Sequence, residues 1–462
     1  MFNVMDNLGK RQMMIIETNS CPSGQKSMPL LDESQKFNGY KTLIESLFED
    51  YLQNKENTEV NGDLAVVFDK NVTENSAYSI VLNNLSNEKV WLVENLDDDE
   101  NMDEKHKIMK WIDGVMYVRD NKNEWHPIRA CLRYINWHFI FIFMLIFTSI
   151  FIYISYITQK PWKKIPLNTK TVILNPIAVC LAGGRNKIMA AYAYNLFNES
   201  QAKSKSGLSI RLPHSVINVN KRDIPALLES DKRLDGKCVV KVPYSNCGQG
   251  VYTIINKTEL DEFMNINHRY DKFIVQSLIG DHSWFSSEIK SPEIRNYYHV
   301  GTIPDASQNI FVYDLRMIVT SNKNGFCPVS MNSRRARKPL VKDFNLNEAS
   351  NLNEDEDAIL SSWDMLGTNL SVKIDKNLWD TESERLLTMD CNDFNVLGLG
   401  MDDLIDAYIQ TVFSVISIDK LCIELLDSCS GSSTNEKFGK FNCELFKELN
   451  PDDSLINEIR FY

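Results

Sequence analysis

The chain has 462 residues, 43% of them hydrophobic and 24% charged, with a formal net charge of −12. That length supports a large core and two or three domains. The charge argues against a nucleic-acid binder, whose phosphate contacts need clustered Lys and Arg, but not against a nucleotide site, which needs only a few local cations and backbone N–H groups. In chain order, the first residues, MFNVMDNLGKRQ, lack the apolar core of a signal peptide. Residues 12–19 read as a buried strand ending in polar groups, followed by the turn-rich Ser20-Cys21-Pro22-Ser23-Gly24. Residues 39–54 have helical spacing, while 64–69 and 90–93 read as strands. The acidic run from Asp97 to Glu104 reads as a solvated loop, because like charges repel and stay hydrated. Asn345 to Asp357, polar and Asn-rich, reads as a mobile insertion. The ten cysteines are scattered without CxxC spacing, which fits a reducing compartment.

Residues 137–157 break the pattern. They carry no formal charge and are almost all Phe, Ile, Leu, Met or Tyr, and about 20 such residues span a bilayer as a helix. On hydropathy alone this is a transmembrane segment. Arg129 and Arg133 precede it and Lys160, Lys163 and Lys164 follow, so the flanking charges set no orientation. A second reading is an insertion. Tyr134-Ile135 recurs as Tyr156-Ile157, and removing 136–157 leaves an ordinary soluble joint. The insertion reading implies a cytoplasmic protein and the hydropathy reading a single-pass membrane protein.

Past residue 170 the order of elements carries chemistry. Gly183-Gly184-Arg185-Asn186-Lys187 opens a helical stretch, 188–197, and Ile210 to Ser215 reads as a short strand and turn. Cys238 to Pro243 reads as a strand running into Tyr244-Ser245-Asn246-Cys247-Gly248-Gln249-Gly250, and Tyr252 to Ile255 as the returning strand. Glycines in such a loop let backbone N–H groups approach phosphate oxygens without a Cβ clash. The loop is not a Walker motif, since GxxxxGK[ST] is absent. Lys272 to Ile279 reads as a strand with a polar residue near its end. Phe311 to Val319 reads as a strand with Asp314-Leu315-Arg316 at its centre, a costly charged pair unless it has a partner. Val329 to Arg335 and Gly367-Thr368-Asn369-Leu370 follow.

Taken together, VVKVPYSNCGQGV, FIVQSLI, YDLRMIV, SRRA and GTNLS, in this order over residues 170–375, resemble the ATP-grasp superfamily. The resemblance implies an α+β fold in which two α/β subdomains clasp ATP. It implies ATP contacts from Lys187, Lys241, Ser245, Gly248, Gln249, Gly250, Gln276, Ser277, Leu278 and Asn369. Within that set Lys187 and Lys241 hold phosphates, Gly248 to Gly250 form a lid, and Gln276 to Leu278 form the adenine hinge. Arg316 and Arg334 or Arg335 hold the γ-phosphate and an acyl phosphate. ATP-grasp enzymes also end on an acidic strand and a Glu-x-Asn strand, because Mg²⁺ ions bridging phosphates need hard oxygen ligands. Asp390, Asp393 and Asn395 offer Asp-x-Asn but no second acidic strand. Asp6 followed by Glu17-Thr18-Asn19 looks like the pair, which implies a circularly permuted member with Asp6, Glu17 and Asn19 as metal ligands.

These expectations divide the chain into metal-binding strands (1–30), an accessory α/β domain (31–135), the apolar segment (136–157), the nucleotide-binding domain (158–395) and a helical C-terminal region (396–462). The implied activity is ligation, in which Mg-ATP activates a carboxylate as an acyl phosphate for attack by an amine or thiol. The substrate is a small molecule or a peptide, with no nucleic-acid partner and a membrane contact only through 137–157. A phosphotransferase on the same fold, and a membrane-anchored protein with a decayed site, are the rival readings. Residues 25–135, with Trp91, Trp111 and Trp125, are a candidate acceptor domain, although such aromatics are more often core, and Cys21 and Cys247 read as small loop residues.

Overall fold

The computed structural model describes residues 1–19, 21–25, 37–53, 58–69, 71–94, 107–134, 169–175, 186–245, 248, 250–268, 270–285, 296–342, 361–375, 378–426 and 442–449. The apolar segment, the acidic run and the Asn-rich stretch all lie outside these residues. Among the described residues no helix is long and apolar enough to cross a membrane.

Helices and strands combine in an α+β arrangement. The chain opens with a hairpin, β1 (Phe2–Asp6) and β2 (Arg11–Met14), paired from Phe2↔Met14 to Met5↔Arg11. The strand expected over 12–19 stops at Met14. Beyond it, Ile15 donates its N–H to the Arg211 carbonyl, and the following side chains turn toward a cavity.

Next come α1 (Asn38–Gln53), β3 (Asp63–Phe68), α2 (Val72–Ser86), β4 (Val90–Glu94), β5 (Met109–Ile112), β6 (Val115–Arg119), β7 (Trp125–Tyr134) and β8 (Val172–Leu174). They build a sheet of order β4-β3-β7-β6-β5, with β8 on β7. β3 is parallel to β4 and β7, and its run Leu64 to Phe68 is buried throughout, as a strand covered on both faces requires. Trp91 and Trp111 pack partly buried against the core of this layer. Lys110 and Arg119 flank the Trp125 ring.

The second half begins with α3 (Lys187–Ser204), β9 (Ser215–Asn220), α4 (Ile224–Ser230), β10 (Cys238–Lys241), β11 (Val251–Ile254), α5 (Lys257–Asn265) and β12 (Lys272–Ser277). Its strands form an antiparallel sheet of order β11-β10-β12-β9. Then follow β13 (Tyr297–His299), β14 (Tyr313–Asn322), β15 (Gly325–Arg335), α6 (Ser362–Leu366), β16 (Ser371–Asp375), β17 (Leu378–Thr381), β18 (Leu386–Leu387), α7 (Cys391–Leu397), α8 (Met401–Leu426) and α9 (Cys443–Leu449). β14 and β15 are two arms of one hairpin. They join the opening hairpin in a sheet of order β13-β1-β14-β15-β18, with β2 on β1.

The layers meet through packed faces. On α3, Met189, Ala190, Ala193, Tyr194 and Phe197 recur at helical spacing and bury against Ile418, Leu421 and Leu425 of α8 and Phe446 of α9. Burying each such large side chain stabilises by about 1.5–3 kcal/mol. α8 extends well beyond the amphipathic 402–418 read in the sequence, and it touches β2 and β14 as well as α3.

Candidate functional site

Between the opening hairpin, α3 and the β9–β12 sheet lies a cavity of about 420 Å³. Its lining includes Glu17, Thr18, Lys187, Tyr194, His214 and Lys241. Asn186 fixes the position of Lys187. It caps α3 by accepting the N–H groups of Ile188 and Met189, and its amide donates to the Leu449 carbonyl at 3.0 Å. The Lys187 N–H in turn donates to the Pro243 carbonyl at 3.1 Å, so helix α3 starts against the end of β10. The Lys187 ammonium donates to the carbonyl of Ser245 and, at 3.1 Å, to its hydroxyl. Ser245 is buried at the root of the glycine loop and donates its own hydroxyl to the Val242 carbonyl at 3.1 Å.

Lys241 ends β10, opposite Val251, and is 6% exposed. Burial lowers the pKa of its ammonium to about 8. Glu17 opposes the shift and Lys187 adds to it. Val242 N–H donates to the Gly250 carbonyl at 2.7 Å and closes the loop. At the loop tip Gly248 has φ +73°, and a Cβ there would sit 3.1 Å from the Asn369 side chain, so the close approach needs glycine. Gln249 and Cys247 lie outside the described residues.

Asn369 leads to the arginines. Its side-chain oxygen accepts from Arg334 at 3.4 Å, and Arg334 forms a forked ion pair with Asp314. Burial alone would raise the Asp314 carboxyl. Arg334 and Arg316 override it and hold the group below its ordinary range. Arg316 lies one residue pair further along β14 on the same face, and it donates to the Asn19 side-chain oxygen at 3.2 Å. The contacts form two chains, one joining Gly248, Asn369, Arg334 and Asp314 and the other joining Arg316 to Asn19, while Glu17 acts on Lys241 across the cavity. In a chain whose net charge is −12, two buried lysines at one cavity favour an anion.

Several expected residues stand elsewhere. Asp6 is at the far end of the opening hairpin, where its carboxylate accepts the N–H groups of Leu8 at 3.0 Å and Lys10 at 2.9 Å. It closes the turn and is not beside Glu17, because β1 and β2 run antiparallel and Glu17 lies beyond the opposite end. Arg335 follows Arg334 on a strand and so points to the other face, where its guanidinium covers Phe311 at 4.5 Å. Ser277 N–H donates to the His214 carbonyl at 2.8 Å and is not available to an adenine edge. Leu278 is buried against Trp284 and Val312, while Gln276 lines the cavity and donates to Ser215 at 2.8 Å. Asp390 and Asp393 are engaged at the start of α7, the first as its cap and the second accepting Met389 N–H at 2.9 Å.

Glu17 and Asn19 follow the end of β2; Glu17 lines the cavity and the Asn19 side-chain oxygen accepts from Arg316. Both are exposed, which suits Mg²⁺, a cation that keeps several waters and takes few protein ligands. Asp120, Glu124 and His126 also come close together, but Asp120 is engaged with the Lys122 and Glu124 N–H groups in the β6–β7 turn. Sequence reasoning missed Tyr194, whose hydroxyl meets Thr18, and His214, paired with Asp231 at 2.9 Å. Tyr194 carried a signal, since it lies on the apolar face of the helix that Lys187 opens.

No family model and no curated protein matches the chain. Among solved structures it is similar to D-alanyl-alanine synthetase A from Vibrio cholerae, with 11% identity over 78% of this chain and 82% of that one, at a TM-score of 0.39. It is also similar to the RimK domain protein ATP-grasp from Sphaerobacter thermophilus, with 10% identity over 62% of this chain and 93% of that one, at a TM-score of 0.30.

Proposed function

We propose that this chain is an ATP-dependent ligase of the ATP-grasp type, in a permuted arrangement. The observation that carries the reading is the charge gathered at one cavity. Lys187 and Lys241, both buried, line it together with Glu17, and two residues beyond Glu17 the Asn19 side chain accepts from Arg316. Mg²⁺ held by Glu17 and Asn19 would neutralise phosphate charge. Lys241 places a positive charge on the phosphate chain of ATP as co-substrate, and Lys187 fixes the root of the loop that covers it.

In the reaction a substrate carboxylate oxygen bonds to the γ-phosphorus as the bond to the ADP oxygen breaks. Arg316 is placed to stabilise the charge that moves during this transfer, and Arg334, held by Asp314, keeps Asn369 and the glycine tip in register. An amine or thiol then attacks the acyl carbon and releases phosphate. No protein nucleophile takes part.

The test is thermal unfolding of the full chain with ATP, with and without Mg²⁺. A ligand at 100 times its Kd stabilises by about 2.7 kcal/mol. We expect Mg-ATP to raise the midpoint, Glu17→Gln to remove the metal-dependent part, and Lys241→Met to remove the whole shift. Hydroxylamine should trap the acyl phosphate as a hydroxamate in the presence of a suitable carboxylate. A wild-type midpoint indifferent to Mg-ATP rules the proposal out.

A further inference from the structure

Among the described residues none of the α/β layer lines the cavity, yet the layer grips the loop at Cys21 to Gln25, shortly after Glu17 and Asn19. Glu74, in the first turn of α2, is fully buried. Its carboxylate accepts the N–H of Gly24 at 3.0 Å and of Gln25 at 2.9 Å. One turn later on α2, Tyr78 donates its hydroxyl to the Pro22 carbonyl at 2.9 Å and accepts from the Gln25 amide at 2.5 Å. Cys21, at the near end of the same loop, is buried in the core of this layer with Tyr78 and Tyr134. On the loop's other side Gly24, at φ +109°, lies so close to β15 that a Cβ would come within 2.6 Å of the Asn332 amide. Asn332 is paired in register with Arg316, the partner of Asn19.

A buried carboxylate is costly unless hydrogen bonds satisfy it, and bonds from backbone N–H groups to a carboxylate are of the strong, charge-assisted kind. Such a group clamps a loop at one height. Here the clamped loop begins two residues after Asn19 and is wedged between α2 and the strand that bears the catalytic arginine's neighbour.

We infer that Glu74 is a positioning residue, through which the α/β layer sets Glu17 and Asn19 at the height where they can hold Mg²⁺. The inference rests on the proposed Mg-ATP site. The experiment is a Mg²⁺ titration of ATP binding to the full chain, read by calorimetry, for wild type, Glu74→Gln and Tyr78→Phe. Loss of a group bonded directly to metal ligands weakens metal affinity by about 10–100-fold, and Glu74, which acts only through the loop backbone at Gly24 and Gln25, belongs at the low end of that range. We expect about a tenfold rise in the Mg²⁺ concentration needed for Glu74→Gln, a smaller rise for Tyr78→Phe, and metal-free ATP binding unchanged. A role confined to stability would lower the melting temperature and leave the Mg²⁺ titration unchanged, and that result overturns the inference. If Glu74→Gln does not fold, Tyr78→Phe decides by the same titration. A wild type that binds no Mg-ATP defeats the proposed function itself, and is seen before any variant is made.

Discussion

At the scale of single residues, Lys241 shows what the site costs. In the unfolded chain a lysine holds its proton to about pH 10.4, whereas in the fold burial brings this group down to about 8. Between those values the unfolded state binds more protons, so this group makes stability rise with pH across that window and imposes its full penalty below it. The shift corresponds to a penalty on the order of 3 kcal/mol. Lys241→Met should therefore stabilise the ligand-free protein near neutral pH while removing its response to Mg-ATP. Denaturant unfolding of both proteins at pH 7 and pH 10 checks this, and a variant less stable than wild type at pH 7 would contradict it. Because a phosphate favours the charged ammonium, affinity for Mg-ATP should also weaken as pH rises past about 8.

At the scale of elements, the segment bearing Glu17 depends on contacts far away in the chain. Among the described strands β2 pairs only with β1, and α8 covers its outer edge. Asp406 of α8 accepts the Met13 N–H at 2.8 Å and pairs with Arg211, while Gln410 accepts the Arg211 N–H at 2.8 Å. Arg11 pairs with Asp403 at 2.8 Å. Asp406→Ala should cost about 2 kcal/mol, the usual worth of hydrogen bonds to a charged group. In a double-mutant cycle with Arg211→Ala, it should couple by about 1 kcal/mol or more. Strict additivity in denaturant unfolding would show that the three segments are not joined through this node. Such contacts explain what the sequence could and could not reveal. Lys241, Gly248 and Arg316 sit in local patterns that the sequence displays, namely a strand, a glycine turn and a charge inside an apolar strand. Arg334 and Arg335 could have been separated by the two-residue period alone. Asp6 deceived because an acidic strand end before a Gly-Lys turn is equally a hairpin closure. Glu74 and Asp406 left no local trace, since one is a carboxylate in an ordinary helix and the other meets Met13 across 393 residues of sequence.

On the scale of the whole molecule, the proposed function gives the three layers separate duties, and ligand binding should distinguish them. The β9–β12 sheet carries Lys241 and the glycine loop, the β1–β15 sheet carries Arg316 and leads through β2 into the segment of Glu17 and Asn19, and the α/β layer holds the loop at Cys21 to Gln25. If Mg-ATP sits in the cavity lined by Glu17, Lys187 and Lys241, it ties the first two layers together and leaves the body of the third as it was. Amide hydrogen exchange reads this directly, because protection reports the local free energy of opening. With saturating Mg-ATP we expect slower exchange at residues 241–254 and 13–19, where backbone and ligand meet. We expect a smaller gain at Cys21 to Gln25 through the Glu74 clamp, and none at β5 and β6, on the far side of the α/β sheet. In Glu74→Gln the gain at Cys21 to Gln25 should vanish while that at 241–254 persists. Uniform protection across all three layers would mean that they act as one block, and protection confined to the α/β layer would place the nucleotide somewhere other than this cavity.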